Sequence, residues 1–253
     1  HQQGRAHRRR MNNERIAQAT WLALAWPLAL ISAIVHLFIG LNNDTATLTH
    51  QAAKWLAGGA PYVDFMDTNP PLIIWLLAPV VRLSQITGMP VFVALNLAAL
   101  LVGALSILLC ERLLKPMQAA SRASVLAAVS VGLFGLSFLH QVFADREYLV
   151  VAMLLPFLVY CSPLVEREGI SRALRLSCIL FAALGVAIKP YTAFFCLFAL
   201  GAKFFSARDT HPRLWMMEVF AWGACAILYM LVIALFAPAF FSEFLPLAVT
   251  TYS

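Results

Sequence analysis

Eight apolar runs, at about 20–40, 71–81, 91–110, 123–139, 148–164, 176–188, 191–202 and 214–241, dominate the chain and leave little polar sequence between them. Several reach or approach the roughly 20 residues that an α-helix needs to cross the hydrocarbon of a bilayer. Apolar residues make up 62% of the 253 positions and charged ones 12%, against roughly 45–50% and 25% in soluble domains. A single globule in water has no interior large enough to hide so much apolar surface. The pattern excludes a soluble enzyme and a disordered tail, and it predicts an all-α polytopic membrane protein.

Charge then orients the runs. The 18 Lys and Arg exceed the 12 Asp and Glu, and basic residues of polytopic proteins collect in short cytoplasmic loops. If Pro71–Ile86 lies on the outer surface, segments 1–19, 111–122, 165–175 and 203–213 are cytoplasmic and hold 14 of those 18 cations. Were it a span, three of these basic segments would be exported. The expectation is about seven transmembrane helices with the N-terminus inside. The organisation is a basic cytoplasmic segment at 1–19, a transmembrane module at 20–241 and an outer-side tail at 242–253 that reads as the start of a further C-terminal part. The location expected is a bacterial-type inner membrane.

Within that module the outer loop 41–90 holds two amphipathic juxtamembrane helices. Leu48, Ala52, Trp55 and Leu56 share one helical face between Asn43-Asp44 and the stop Gly58-Gly59, as in a helix lying on the membrane. Pro70 and Pro71 open the second helix. Segments 176–188 and 191–202 are short for spans, yet they read as two, parted at Lys189-Pro190. One kinked helix would leave Lys189 in mid-bilayer and export Lys203, Arg208 and Arg213. The arginines at 5, 8, 9, 10 and 15 lack the interleaved aromatics that single-stranded nucleic acid stacks on, so no nucleic-acid partner is expected. The five cysteines lie in or beside apolar runs without a C-x-x-C spacing and read as small core hydrophobes.

Six of the twelve acids, Asp44, Asp64, Asp67, Asp145, Glu147 and Glu243, fall on the outer side near membrane boundaries. Ionisable groups at that depth cost free energy unless they have partners or a task. Each also has a plainer reading. Asp44 can cap a helix, Asp64 and Asp67 can form turns, and Asp145-Arg146-Glu147 can be a local ion pair that solubilises a tight turn. Lys189 can snorkel to the headgroups. The topology nonetheless places Asp44, Glu147 and Lys189 on one face, where carboxylates and a cation can meet over a membrane-level cavity, with Lys189 as partner for a phosphate. No cofactor is required; a divalent metal ion stays open, with Asp44, His50 and His140 as candidates, although the histidines lack a metal-ligand spacing.

Taken in order, Asn43-Asp44-Thr45 after the first span, Gly58-Gly59-Ala60-Pro61-Tyr62 and Asp67-Thr68-Asn69-Pro70-Pro71-Leu72-Ile73-Ile74-Trp75 resemble the integral-membrane glycosyltransferases of the GT-C fold, in particular the protein O-mannosyltransferase and aminoarabinose-transferase-like superfamily. An acid at the head of the fourth span, Glu147 or Asp145, and Lys189-Pro190 near the sixth extend the resemblance over about residues 20–205. Thr45 stands where that family often has a second acid, and the chain resembles the family's N-terminal module alone. The resemblance implies transfer of a sugar from a polyprenyl-phosphate donor to a glycan, lipid or protein acceptor on the outer, periplasmic face, with inversion. It implies Asp44, Glu147 and Asp145 as catalytic carboxylates, and Lys189, Asp67, Asp64, Tyr62, Arg146 and Tyr191 as substrate-binding residues. The competing classes are a transporter or flippase for lipid-linked or small polar solutes, whose signature of internal repeats is missing, and a non-catalytic scaffold or truncated relic.

Overall fold

The computed structural model describes residues 2–38, 40–135, 143–165, 169–205 and 212–252. It is 82% helical with no strand, so among the described residues the fold is all-α. The helices are α1 (Gln2–Phe38), α2 (Asn43–Leu56), α3 (Leu72–Thr87), α4 (Val91–Leu114), α5 (Ala119–Gly135), α6 (Arg146–Cys161), α7 (Arg172–Ile188), α8 (Ala193–Phe205), α9 (Pro212–Phe236) and α10 (Leu245–Tyr252). A single 3-10 turn, Pro190–Thr192, joins α7 to α8, and a π-helical segment, Phe240–Phe244, leads into α10. The basic N-terminal segment and the first apolar run form one continuous helix, α1.

Local chemistry sets the boundaries. Asn42 caps α2 by accepting from the Thr45 N–H at 2.8 Å, which satisfies one of the four donors that a helix start leaves open. The first turn of α2 is then free to carry Asp44 with its carboxylate turned outward. Gly88, at φ +71°, ends α3 in the left-handed conformation that a side chain resists. Asp145 caps α6 through the Tyr148 N–H at 2.9 Å, and Ser171 caps α7 through the Leu174 N–H at 3.2 Å.

Contacts along the helices fix their directions. A Cβ built on Gly185, late in α7, would meet Leu154, Met153 and the Val150 carbonyl, early to mid α6, so α7 runs antiparallel to α6. Lys189 pairs with Glu147 at the head of α6, and Lys203 donates to the Tyr160 carbonyl at its tail at 2.6 Å, so α8 runs back alongside α6. The chain therefore reverses at Lys189–Thr192, and 176–202 forms two helices rather than one kinked helix. Pro190 has no N–H with which to continue α7, and Lys189 sits in extended backbone. Tyr160 donates to Glu218 near the start of α9, while the Leu72 N–H donates to Tyr229 near its end at 3.2 Å, so α9 runs opposite to α6.

One end of the bundle thus gathers Asp44, Asp67, Arg146, Glu147 and Lys189. The other carries Arg112, Lys115, Arg122, Arg172 and Lys203. Between them α6 is the central helix, with Tyr148, Ala152, Phe157 and Tyr160 fully buried against α4, α7 and α8. Small residues permit the close approach: a Cβ on Gly103 of α4 would lie 2.5 Å from the Tyr148 hydroxyl.

Two helices, Val91–Leu114 and Met216–Phe236, are long and apolar enough to cross a membrane. The second is only 6% buried over its apolar window, and Phe220, Ile227 and Leu235 stand out from it as Phe194 and Phe198 do from α8. Exposed apolar side chains on α8 and α9 suit a lipid-facing surface. The loop helices α2 and α3 form where the sequence places them, and they pack on each other. Leu48 and Ala52 of α2 are buried among the same core residues as Ile73, Ile74, Leu77, Ala78 and Val81 of α3. Leu48 and Ala52 are therefore covered by protein, because α3 offers them an apolar stripe, while Leu56 on the same face stays exposed.

Candidate functional site

The site is assembled from three separate stretches. The first is the start of α2, which carries Asp44. The second is the loop between α2 and α3. Here the Ala60 N–H donates to Asp64 at 2.7 Å, closing a turn, and the N–H of Tyr62, whose backbone sits at φ +65°, donates to the Phe65 carbonyl at 2.8 Å. The Tyr62 ring is buried against Phe240 and Phe244, 5.3 Å from each, and its hydroxyl donates to the Asn69 carbonyl. Burial, with Asp67 nearby, raises the pKa of that hydroxyl, so it stays a donor. Gln51 donates from α2 to the Met66 carbonyl at 2.7 Å, and Tyr229 holds the Leu72 N–H. These bonds fix the backbone on both sides of Asp67.

The third stretch is Asp145-Arg146-Glu147 with Lys189. Ala144, at φ +61°, holds a backbone conformation that costs a non-glycine residue on the order of 1 kcal/mol. That turn sets Asp145 as the cap of α6 and projects Arg146 across to the loop. The Arg146 guanidinium donates from Nε and Nη2 to both oxygens of Asp44, at 3.1 and 2.8 Å, and from Nη1 to Asp67 at 3.2 Å. Its partners lie 102 and 79 residues away in the chain, so the local-pair reading of this tripeptide gives way to a tertiary clamp. Asp67 also accepts from the Asn69 N–H at 2.8 Å, which combines the turn role with the clamp. Beside it, Lys189 pairs with Glu147 and faces the Tyr191 ring at 5.9 Å.

Exposure differs within the cluster. The side chains of Asp44 and Glu147 are 48% exposed, whereas Arg146, Asp67 and Lys189 are nearly covered. The two open carboxylates thus flank two sequestered cations. Asp145 is buried, and that burial pushes its carboxyl up to about 6; repulsion from Asp44 adds to the rise, while the Tyr148 N–H, Lys189 and Arg146 oppose it. With four carboxylates around two cations, the cluster favours groups that carry or develop positive charge.

Of the residues singled out in the sequence, Asp44, Asp67, Asp145, Arg146, Glu147, Lys189 and Tyr191 meet here. Asp64 stands in its own turn, and Tyr62 lies in the loop's interior. His50 is exposed on α2, and His140 lies outside the described residues. No group of three or more His, Cys, Asp or Glu side chains that could hold a metal ion occurs among the described residues. Asn42, rather than Asp44, is the cap of α2; Asn42 two positions upstream was the available signal. Gln51 and Tyr229, which hold the acidic loop, carry no sequence pattern that marks them, and Asn69 stands inside the quoted Asp67–Trp75 segment without a role assigned to it. No family model, no curated protein and no solved structure matches the chain.

Proposed function

We propose that the chain is an integral-membrane glycosyltransferase of the GT-C type that moves a sugar from a polyprenyl-phosphate donor to an acceptor hydroxyl on the carboxylate-rich face. The observation that carries this reading is the convergence of Asp44, Asp67, Glu147, Arg146 and Lys189 from segments far apart in sequence onto one end of an apolar bundle. The exposed apolar faces of α8 and α9 support residence in a bilayer. The basic residues at the opposite end support a cytoplasmic placement of that end, with seven spans formed by α1 and α4 to α9.

In this reading the acceptor oxygen attacks the anomeric carbon while the bond from that carbon to the phosphate oxygen breaks. The bonding pair departs with the phosphate, and the acceptor's proton passes to the Asp44 carboxylate, which Arg146 holds in place with its remaining face open. Phosphate is a good leaving group and needs no strong acid. Lys189 supplies the charge that stabilises it as it departs, exchanging part of its contact with Glu147 for the donor. The surplus of carboxylates stabilises the positive charge that develops on the sugar ring.

The test is mass spectrometry of envelope glycans, glycolipids and glycoproteins from cells with the gene intact, deleted or carrying Asp44→Asn. Loss of one sugar mass in both altered strains, with the variant protein present in the membrane, is the expected result. An unchanged profile in both overturns the assignment.

A further inference from the structure

The end of the bundle remote from the carboxylates holds a cleft of about 420 Å³ between the end of α4 and the start of α7. Arg112 and Lys115 line it together with Leu109 and Leu113 from α4 and with Ser171 and Leu174 from the start of α7. Both cations are exposed, and among the described residues neither has an acidic partner and no carboxylate lines the cleft. The far wall adds to the positive potential. The first turn of α7 contains no acid and begins with Arg172, although a helix start favours negative charge. Two cations and a helix start without acids thus border one cleft.

Position names the ligand. The apolar run of α4 ends at Cys110, so Arg112 and Lys115 lie where hydrocarbon gives way to headgroups, and the cleft sets these cations beside the apolar Leu109, Leu113 and Leu174. A phosphate ester that carries its own acyl chains matches both the cations and the leucines; a free anion matches the cations alone. From this the geometry points to a binding site for the phosphodiester headgroup of an anionic phospholipid, gripped by Arg112, Lys115 and the start of α7, with the first acyl carbons against Leu109 and Leu174. The inference rests on the reading of the chain as a membrane protein and not on its reading as a transferase. Such a lipid neutralises the basic cleft and pins α4 to α7 at that face.

The test is native mass spectrometry of the full chain in detergent with phosphatidylglycerol or phosphatidylcholine added. One phosphatidylglycerol retained in preference to phosphatidylcholine is expected. Its retention should fall about tenfold or more in the Arg112→Gln, Lys115→Gln double variant and stay unchanged in Arg82→Gln, which removes an exposed cation on α3. Equal retention by the double variant, or equal loss in Arg82→Gln, overturns the site. Displacement of the lipid by millimolar inorganic phosphate assigns the cleft to free anions and overturns the lipid. Carbonate washing of cell membranes reports separately on the bilayer reading: a chain that washes off overturns that reading, whatever the lipid assay gives.

Discussion

The two ends of the bundle each hold a lysine, a glutamate and a tyrosine, and they use them differently. At the carboxylate end Lys189 pairs with Glu147 and faces Tyr191, with the glutamate side chain 48% exposed and Tyr191 61% exposed. At the basic end Lys203 donates to the Tyr160 carbonyl and lies 4.7 Å from its ring, while the Tyr160 hydroxyl donates to Glu218. There the glutamate and the tyrosine are fully buried. Identical chemistry is thus open in one place and closed in the other. An open pair can trade a partner for a ligand at little cost, whereas a closed one must break to do so. Burial, rather than residue type, marks which cluster is fitted for binding.

The sharpest way to break this comparison is to truncate both glutamates. Glu218→Ala leaves the Tyr160 hydroxyl without its buried acceptor and should lower stability by about 2 kcal/mol, read as an earlier midpoint in denaturant-titrated micelles. Glu147→Ala should shift that midpoint by less than about 1 kcal/mol. Equal shifts would mean that the two clusters do the same structural work. Next in size, Lys189→Ala should weaken binding of a polyprenyl-phosphate sugar about tenfold, as expected for loss of one charged phosphate contact, and leave acceptor affinity unchanged. Unaltered donor affinity in a direct binding assay would remove its phosphate role.

The smallest effect is a pH dependence. The Asp145 carboxyl, raised by burial to about 6 in the fold, titrates in the unfolded chain near the ordinary aspartate value of about 4. Between those values the folded state binds the extra proton, so stability is greatest at the acid end and falls as pH rises through about 6. The loss between pH 5 and 7 should be about 1 kcal/mol, and Asp145→Asn should flatten it. A wild-type profile that rises over this range would reverse the sign and place the group elsewhere.

Much of this arrangement is legible in the sequence where one rule acts alone. Leu48 and Ala52 with the stop at Gly58-Gly59 give α2, and Lys189-Pro190 gives the break between α7 and α8, because periodicity and proline sterics are local. The meeting of Asp44, Glu147 and Lys189 at one end follows from charge counting over the loops, which is coarse but global. The finer geometry follows from neither. Whether Arg146 pairs with Glu147 beside it or with Asp44 across the bundle depends on the turn at Ala144, where a non-glycine residue adopts positive φ, and no residue type announces that. The cover on α2 was equally hidden: an amphipathic face reads the same whether lipid or α3 lies against it. Glu218 became significant only once the direction of α9 placed it beside the tail of α6.

The bond from the Leu72 N–H to Tyr229 spans 157 residues, and it orders the making of the molecule in time. A chain emerging at about 5–20 residues per second exposes Leu72 on the order of 8–30 s before the tyrosine that holds it exists. Throughout that interval the acidic loop lacks its anchor to α9, and so does the packing of Tyr62 on Phe240 and Phe244. The catalytic face proposed here is therefore among the last parts of the protein to mature, although Asp44 and the acidic loop are among the first to be made.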